Sequence, residues 1–352
     1  MGSISKGKRR RRRNLLNTTP TAPTKSRQPD PSQLDQVPVS YQQINDYYQA
    51  YQESKPFDLR KETFLRIEAT TGRPLICYVA KTANVAAGPN SIDDSDLIGF
   101  TDLAHSITGK EVDVLIESNG GSAEAAERIV RLLRSRFDSV RFIVPANAYS
   151  AATLICFSGD NVVMNAIATF GPIDPQINGI PARAIRRAFE TLEKRLAEEG
   201  PRALTAYVPL ISKYDLHLLE MCKSAEDLSK ELAASWLAEY MLKCSKDDLR
   251  VTKVVDYFSS YDEHKSHGRS IDRSKSRELG LVVENVEDTK GLEELIRSLH
   301  NQYGFWFDRT PFVKMFEDSR GICWGRQVQN VTVQLPLAIP PPPQPGPPAR
   351  TN

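Results

Sequence analysis

The chain has 352 residues, 40% hydrophobic and 26% charged, enough apolar material for one sizeable core or two modest ones, which excludes a wholly disordered chain. Its formal charge of +2 is uneven: residues 1–30 hold nine Lys/Arg against Asp30, leaving a net −6 on the remainder, so the basic character belongs to a tail. Five scattered cysteines without a C-x-x-C pair, and His264 and His267 without a further ligand at metal spacing, argue against a disulfide framework and against a metal site.

Residues 1–38 are rich in Arg, Thr, Pro, Ser and Gln and are expected to form a disordered basic tail. Lys6 to Arg13 is cationic except for Gly7, which suits non-specific contact with a polyanion; without interleaved aromatics it does not suit sequence-specific base stacking. Asn14 to Thr18 is no signal-peptide core, and Lys6 stands where a myristoylation motif wants Ser or Thr. No apolar run approaches the ~20 residues of a transmembrane segment, so the expected setting is cytoplasmic.

From Tyr41 to about Ala69 the periodicity predicts one helix, broken at Thr71-Gly72-Arg73-Pro74. Leu75 to Ala80 reads as a buried strand, Asp94 to Ile107 as a helix with Asp94 and Ser95 as caps, and Val112 to Glu117 as the next strand. A helix follows from Ser122, then a strand over Val140 to Val144, a short apolar helix over Ser150 to Phe157 and a strand at Val162 to Met164. Strands alternating with helices predict a mainly parallel sheet with covered faces. Pro181 to Glu199 reads as an amphipathic helix, Leu204 to Cys244 as mostly helical and Tyr261 to Ser270 as a loop. Ile271 to Leu279 reads as a helix stopped by Gly280, Leu281 to Val283 as a strand and Leu292 to His300 as a helix. Phe305, Trp306, Phe307, Phe312 and Phe316 form an aromatic cluster expected to dock on the body. Residues 326–352, rich in proline, are expected to be an extended tail, leaving 39–325 as the folded domain.

Two strand-to-helix junctions carry the chemistry. Asn119-Gly120-Gly121-Ser122 ends a strand and opens a helix, where bare amides can face developing negative charge; a tight turn is the plainer alternative. Ser150 follows Pro145-Ala146-Asn147-Ala148-Tyr149 and opens a helix of small residues, which fits an N-cap, a nucleophile, or both. Gly171-Pro172-Ile173-Asp174-Pro175-Gln176 is a rigid turn that holds Asp174 and Gln176 on a fixed loop.

The segments VDVLIESNGG, VPANAYSAATLI and DNVVMNAIATFGPIDPQ together resemble the serine dehydrogenase proteinase family, part of the larger group holding the Clp protease proteolytic subunit, signal peptide peptidase A and the crotonases. The resemblance continues at Gly72 to Ile76 and from Ser266 to Leu281, covering roughly residues 60–320. It implies an α/β fold, a ClpP/crotonase-like ββα superhelix with additional C-terminal helices. It also implies a serine peptidase with Ser150 as nucleophile and the Gly120 and Gly121 amides as oxyanion donors. In the Clp subunit a His lies on the loop corresponding to Gly171–Gln176, where this chain has Asp174 and no His. Signal peptide peptidase A uses a Lys before a long helix, and Lys213 occupies a comparable place, with Lys223 as the alternative. A Lys base needs burial to lower its pKa. His267 is expected to hold the loop before Ile271, with lining the site as its alternative role. The implied partners are a peptide or protein substrate and further copies of the chain. No Gly-x-Gly-x-x-Gly is present, and no cofactor is expected. The alternative of a different class is a non-catalytic scaffold or binding module on the same fold; an acyl-CoA enzyme of the crotonase type is a third reading, without an obvious CoA-binding signature.

Overall fold

Six consecutive residues, Leu75–Ala80, are all buried and form β1, an interior strand of the main sheet. The computed structural model describes residues 34–51, 55–83, 88–200, 204–212, 214 and 217–328. Before β1 come α1 (Tyr41–Ala50) and α2 (Pro56–Thr71); after it come α3 (Asp96–Ser106), β2 (Glu111–Glu117), α4 (Ala123–Arg136) and β3 (Ser139–Val144). The chain continues through β4 (Asn147–Ala148), α5 (Ala151–Phe157), β5 (Asn161–Met164), β6 (Thr169–Phe170), β7 (Gln176–Ile177) and β8 (Ile180–Pro181). A helical stretch follows: α6 (Ala182–Glu199), α7 (Leu204–Ile211), α8 (His217–Trp236) with a π-helical turn at Leu237–Met241, α9 (Leu249–Ser259) and α10 (Tyr261–His264). The last elements are β9 (Ile271–Asp272), α11 (Arg273–Leu279), β10 (Val283–Asn285), α12 (Leu292–Arg309), β11 (Phe312–Asp318) and β12 (Cys323–Gln327).

Among the described residues the main sheet has seven strands in the order β10-β5-β3-β2-β1-β11-β12. The run from β10 to β1 is parallel, β11 adds antiparallel to β1, and β12 adds antiparallel to β11. This is the α/β class expected from the alternating pattern. One face packs on residues of α3, α4, α5, α8 and α9, including Phe100, Ile129, Phe157 and Phe258. The other packs on α2 and α12 through Phe64, Ile67, Leu299 and Tyr303. Each face buries an apolar cluster, and apolar burial on this scale dominates the stability.

The structure departs from the expected elements at both ends of the domain. The span 41–69, expected as one helix, contains two, because Pro56 starts α2 after an extended Lys55. Residues 34–38, expected to belong to the disordered tail, include a buried Val37, and Arg66 donates hydrogen bonds to the carbonyls of Leu34 and Asp35. At the other end α12 runs on past His300 to Arg309, so Phe305, Trp306 and Phe307 are helical while Phe312 and Phe316 lie on β11. That strand carries Lys314, Glu317 and Asp318, all fully buried, which breaks the apolar pattern a central strand normally shows. Two of these charges have buried partners. Arg60 grips Glu317 through two hydrogen bonds of 2.7 and 2.6 Å, and Lys314 Nζ lies 2.8 Å from Asp96 Oδ1. The element α9 was not anticipated. No helix among the described residues is long and apolar enough to cross a membrane.

Candidate active site

The C-terminal ends of the parallel strands converge on one cavity of about 480 Å³. Its lining includes Gly120 and Gly121 beyond β2, Ser150 at the head of α5, Gln176 on β7 and His267 after α10. A second sheet of three strands, β4, β6 and β9, brings these segments together. In it, β4 pairs with β6, β6 pairs with β9, and Ala148 bridges to Ser118.

Ser150 has φ 52° and ψ −119°, a left-handed conformation that an L side chain adopts only under constraint. The turn is locked from both sides: Tyr149 N–H donates to Ser118 O at 2.9 Å, and Ala152 N–H donates to Tyr149 O at 2.9 Å. Ser150 Oγ makes no hydrogen bond within the described residues and does not cap α5, so the plain N-cap reading is not what the structure shows. A sharp strand-to-helix turn with a strained serine at its apex lifts the hydroxyl out of the backbone.

Gly120 lies directly beneath this turn. Its φ is 95°, and a Cβ there would stand 2.5 Å from Tyr149 O and 2.6 Å from Ser150 Cβ. Its neighbour Gly121 forms a bridge with Ile92, so close that a Cβ would fall 2.2 Å from Ile92 O. The two amides differ in availability. Gly120 N–H donates to Ser118 Oγ at 3.1 Å, whereas among the described residues neither Gly121 N–H nor Ala151 N–H has an acceptor.

The loop of Asp174 is fixed by Ile173, whose N–H donates to Phe258 O at 2.9 Å and whose carbonyl accepts from Ser229 Oγ at 2.7 Å. Asp174 is buried, and its Oδ1 lies 2.8 Å from His267 Nδ1. His267 arrives 93 positions later in the chain, on the segment between α10 and β9. A carboxylate only accepts hydrogen bonds, so Nδ1 carries the proton and Nε2 is left as the basic nitrogen. His264, one turn earlier, is a different kind of residue. Burial lowers its pKa despite a hydrogen bond to Tyr257 O at 2.7 Å, and its ring packs edge-on to Tyr257.

Of the residues singled out in the sequence, the structure gathers Gly120, Gly121, Ser150, Gln176 and His267 around one cavity, with Asp174 behind His267. Lys223 is an exposed residue of α8 that does not line this cavity. Lys213 lies outside the described residues, as do the Lys6–Arg13 cluster and the proline run. The sequence reading missed the pairing of Asp174 with His267. The only signal was the short polar segment Ser266-His267-Gly268 ahead of a strand.

Residues 90–208 match the family of ClpP-like SDH-type serine proteinases. Two uncharacterized proteins of Methanocaldococcus jannaschii are similar to the chain. One is 38% identical over 198 residues, 55% of this chain and 62% of the relative; the other is 28% identical over 142 residues, 38% and 49%. The chain thus spans about half to three-fifths of the length of these relatives. Among solved structures, ClpP1 from Listeria monocytogenes is 10% identical, covering 63% of this chain and 96% of that one, with a TM-score of 0.35.

Proposed function

We propose that this chain, which over residues 90–208 matches the ClpP-like SDH-type serine proteinases, is a serine peptidase that works through Ser150, His267 and Asp174. The observation that carries the reading is the half-buried His267, backed by the buried Asp174, lining the cavity of a strained, uncapped serine. In this reading Ser150 Oγ attacks the substrate carbonyl carbon and its proton passes to His267 Nε2. Asp174 holds the imidazole in that tautomer and stabilises the imidazolium that forms. The tetrahedral oxyanion is met by the Gly121 and Ala151 amides, the second aided by the start of α5. His267 then returns the proton to the leaving amine as the C–N bond breaks, giving the acyl-enzyme, and water activated by the same imidazole releases the acid. A hydrogen bond between nucleophile and base commonly closes only when substrate is in place.

This assigns the base to His267 in place of Lys213 and gives Gly120 a different part from Gly121. Gly120 shapes the floor under Ser150, since its amide already serves Ser118 Oγ. The substrate is a peptide or protein, and the reading includes a cytoplasmic setting, self-association, and polyanion contact through residues 6–13. Incubation with a mixed peptide library, followed by mass spectrometry of the products, tests the activity. New peptide termini that appear with the wild type and not with Ser150→Ala support it. No cleavage by the wild type, or equal cleavage by Ser150→Ala, overturns it.

A further inference from the structure

Three segments supply the proposed triad, and one side chain touches all of them. Tyr149 precedes Ser150, and its hydroxyl lies 2.9 Å from Ser270 Oγ, three residues beyond His267. The same hydroxyl lies 3.0 Å from Thr169 Oγ1 on β6. Its ring rests on Gly171, three residues before Asp174; a Cβ at Gly171 would stand 2.8 Å from two of the Tyr149 ring carbons. Thr153 of α5 ties down the same spot, because its hydroxyl lies 2.6 Å from Ala148 O and 3.0 Å from Gly171 O and accepts from Gly171 N–H at 3.2 Å.

The span around His267 runs from the end of α10 at His264 to Ile271, which pairs with Phe170 on β6, and has few ties of its own between them. Ser266, Gly268, Arg269 and Ser270 are exposed, and the turn is closed by Gly268 N–H to Ser266 Oγ at 3.3 Å and Arg269 N–H to Ser266 O at 3.2 Å. His267 itself is fixed at one end by Asp174. The Tyr149 hydroxyl adds a side-chain tie three residues on, beside the β6–β9 pairing at Ile271, and it belongs to the same rigid turn as the nucleophile. A brace of this kind sets the distance between Ser150 and His267 without touching substrate.

We propose that Tyr149 is a positioning residue: its hydroxyl, shared with Ser270 and Thr169, locks the His267 segment to the Ser150 turn. The inference rests on the proposed Ser150–His267–Asp174 reading. Removing the hydroxyl leaves the ring on Gly171 and loses the contacts to Thr169 and Ser270, of which the second holds the His267 segment. A displacement near 1 Å between reacting groups costs about 10²-fold in rate.

The test is the reaction of the full chain with a fluorophosphonate probe, followed over probe concentration to separate the maximal rate, kinact, from the half-saturating concentration, KI. Tyr149→Phe is expected to lower kinact by roughly 10–10²-fold. KI should stay within about twofold, because the hydroxyl does not line the cavity and uniform binding is not altered. Ser270→Ala should reproduce the loss, and the double variant should be no slower than either single one, as for two halves of one contact. Ser270→Thr, which keeps the hydroxyl, should restore the rate. Circular dichroism confirms that each variant is folded; should Tyr149→Phe fail to fold, the Ser270 variants carry the test alone. Wild-type kinact in Tyr149→Phe and Ser270→Ala, with His267→Ala inactive, overturns the brace while leaving the triad. Wild-type kinact in His267→Ala overturns the triad reading and the brace with it.

Discussion

Replacing Gly120 with alanine places a methyl group against the turn that presents Ser150. A Cβ at that position lies 2.5 Å from Tyr149 O, 2.6 Å from Ser150 Cβ and 3.0 Å from Ala151 N, where ordinary contact begins at 3.4 Å. Two of these three atoms are backbone and the third is the first side-chain atom of the nucleophile, so none can rotate away. Relief requires moving the turn by something approaching 1 Å, which at a catalytic centre costs about 10²-fold in rate. Stability falls as well. A non-glycine residue held at φ 95° loses roughly 1–2 kcal/mol, and overpacking a tight site a further 1–3 kcal/mol, so Gly120→Ala should lose about 2–5 kcal/mol in urea unfolding. Gly109 is the control. An added Cβ there meets nothing nearer than 4.0 Å, so Gly109→Ala should stay within about 1 kcal/mol of the parent and react normally. The assay is fluorophosphonate labelling below the unfolding transition, with both variants at matched folded fraction. Gly120→Ala that labels at the parent rate would refute the argument that the bare α-carbon shapes the nucleophile turn.

Asp174→Asn should lower the labelling rate by about 10⁴-fold, because an amide can hold His267 in the wrong tautomer; a loss below tenfold would remove Asp174 from the proton path. Arg60→Ala strands the buried Glu317 carboxylate and should cost about 3–5 kcal/mol in denaturant unfolding, well above an average core change; a loss under 1 kcal/mol would contradict it. His300 gives a pH signature. Burial opposes its charged form, but the charge and hydrogen bond of Glu117, with Oε2 2.8 Å from Nδ1, outweigh burial and raise its pKa above 6.5. Its contribution to stability is therefore fully present below pH 6.5, the ordinary value, and is lost as pH rises through the raised folded value. His300→Gln should flatten that part of the stability-against-pH curve, and an unchanged curve would show that the pair does not titrate this way.

The parallel half of the sheet was legible because Leu75–Ala80, Val112–Glu117 and Val140–Val144 are short apolar runs separated by helical periodicity. The antiparallel edge was not. Phe312–Asp318 buries Lys314, Glu317 and Asp318, and a strand two of whose buried charges are paired with residues over 200 positions away gives no local signal. Ser150, Gly120 and Gly121 stood out because strand, turn and helix are contiguous there. His267 read only as a loop or site-lining residue, and its pairing with Asp174 was hidden, since that partner lies 93 residues earlier and the polar segment around it looks like any surface loop. The left-handed conformation of Ser150 was equally hidden: it is imposed by Gly120 and the Ser118–Tyr149 hydrogen bond, contacts formed only after the strands assemble.

The most direct test compares fluorophosphonate labelling of the parent, His267→Ala and Lys213→Ala, with the modified residue mapped by mass spectrometry. The adduct is expected on Ser150, with a rate lowered by about 10³-fold or more in His267→Ala and a parent-like rate in Lys213→Ala. An adduct on another residue, or a parent-like rate in His267→Ala together with loss in Lys213→Ala, would contradict this assignment.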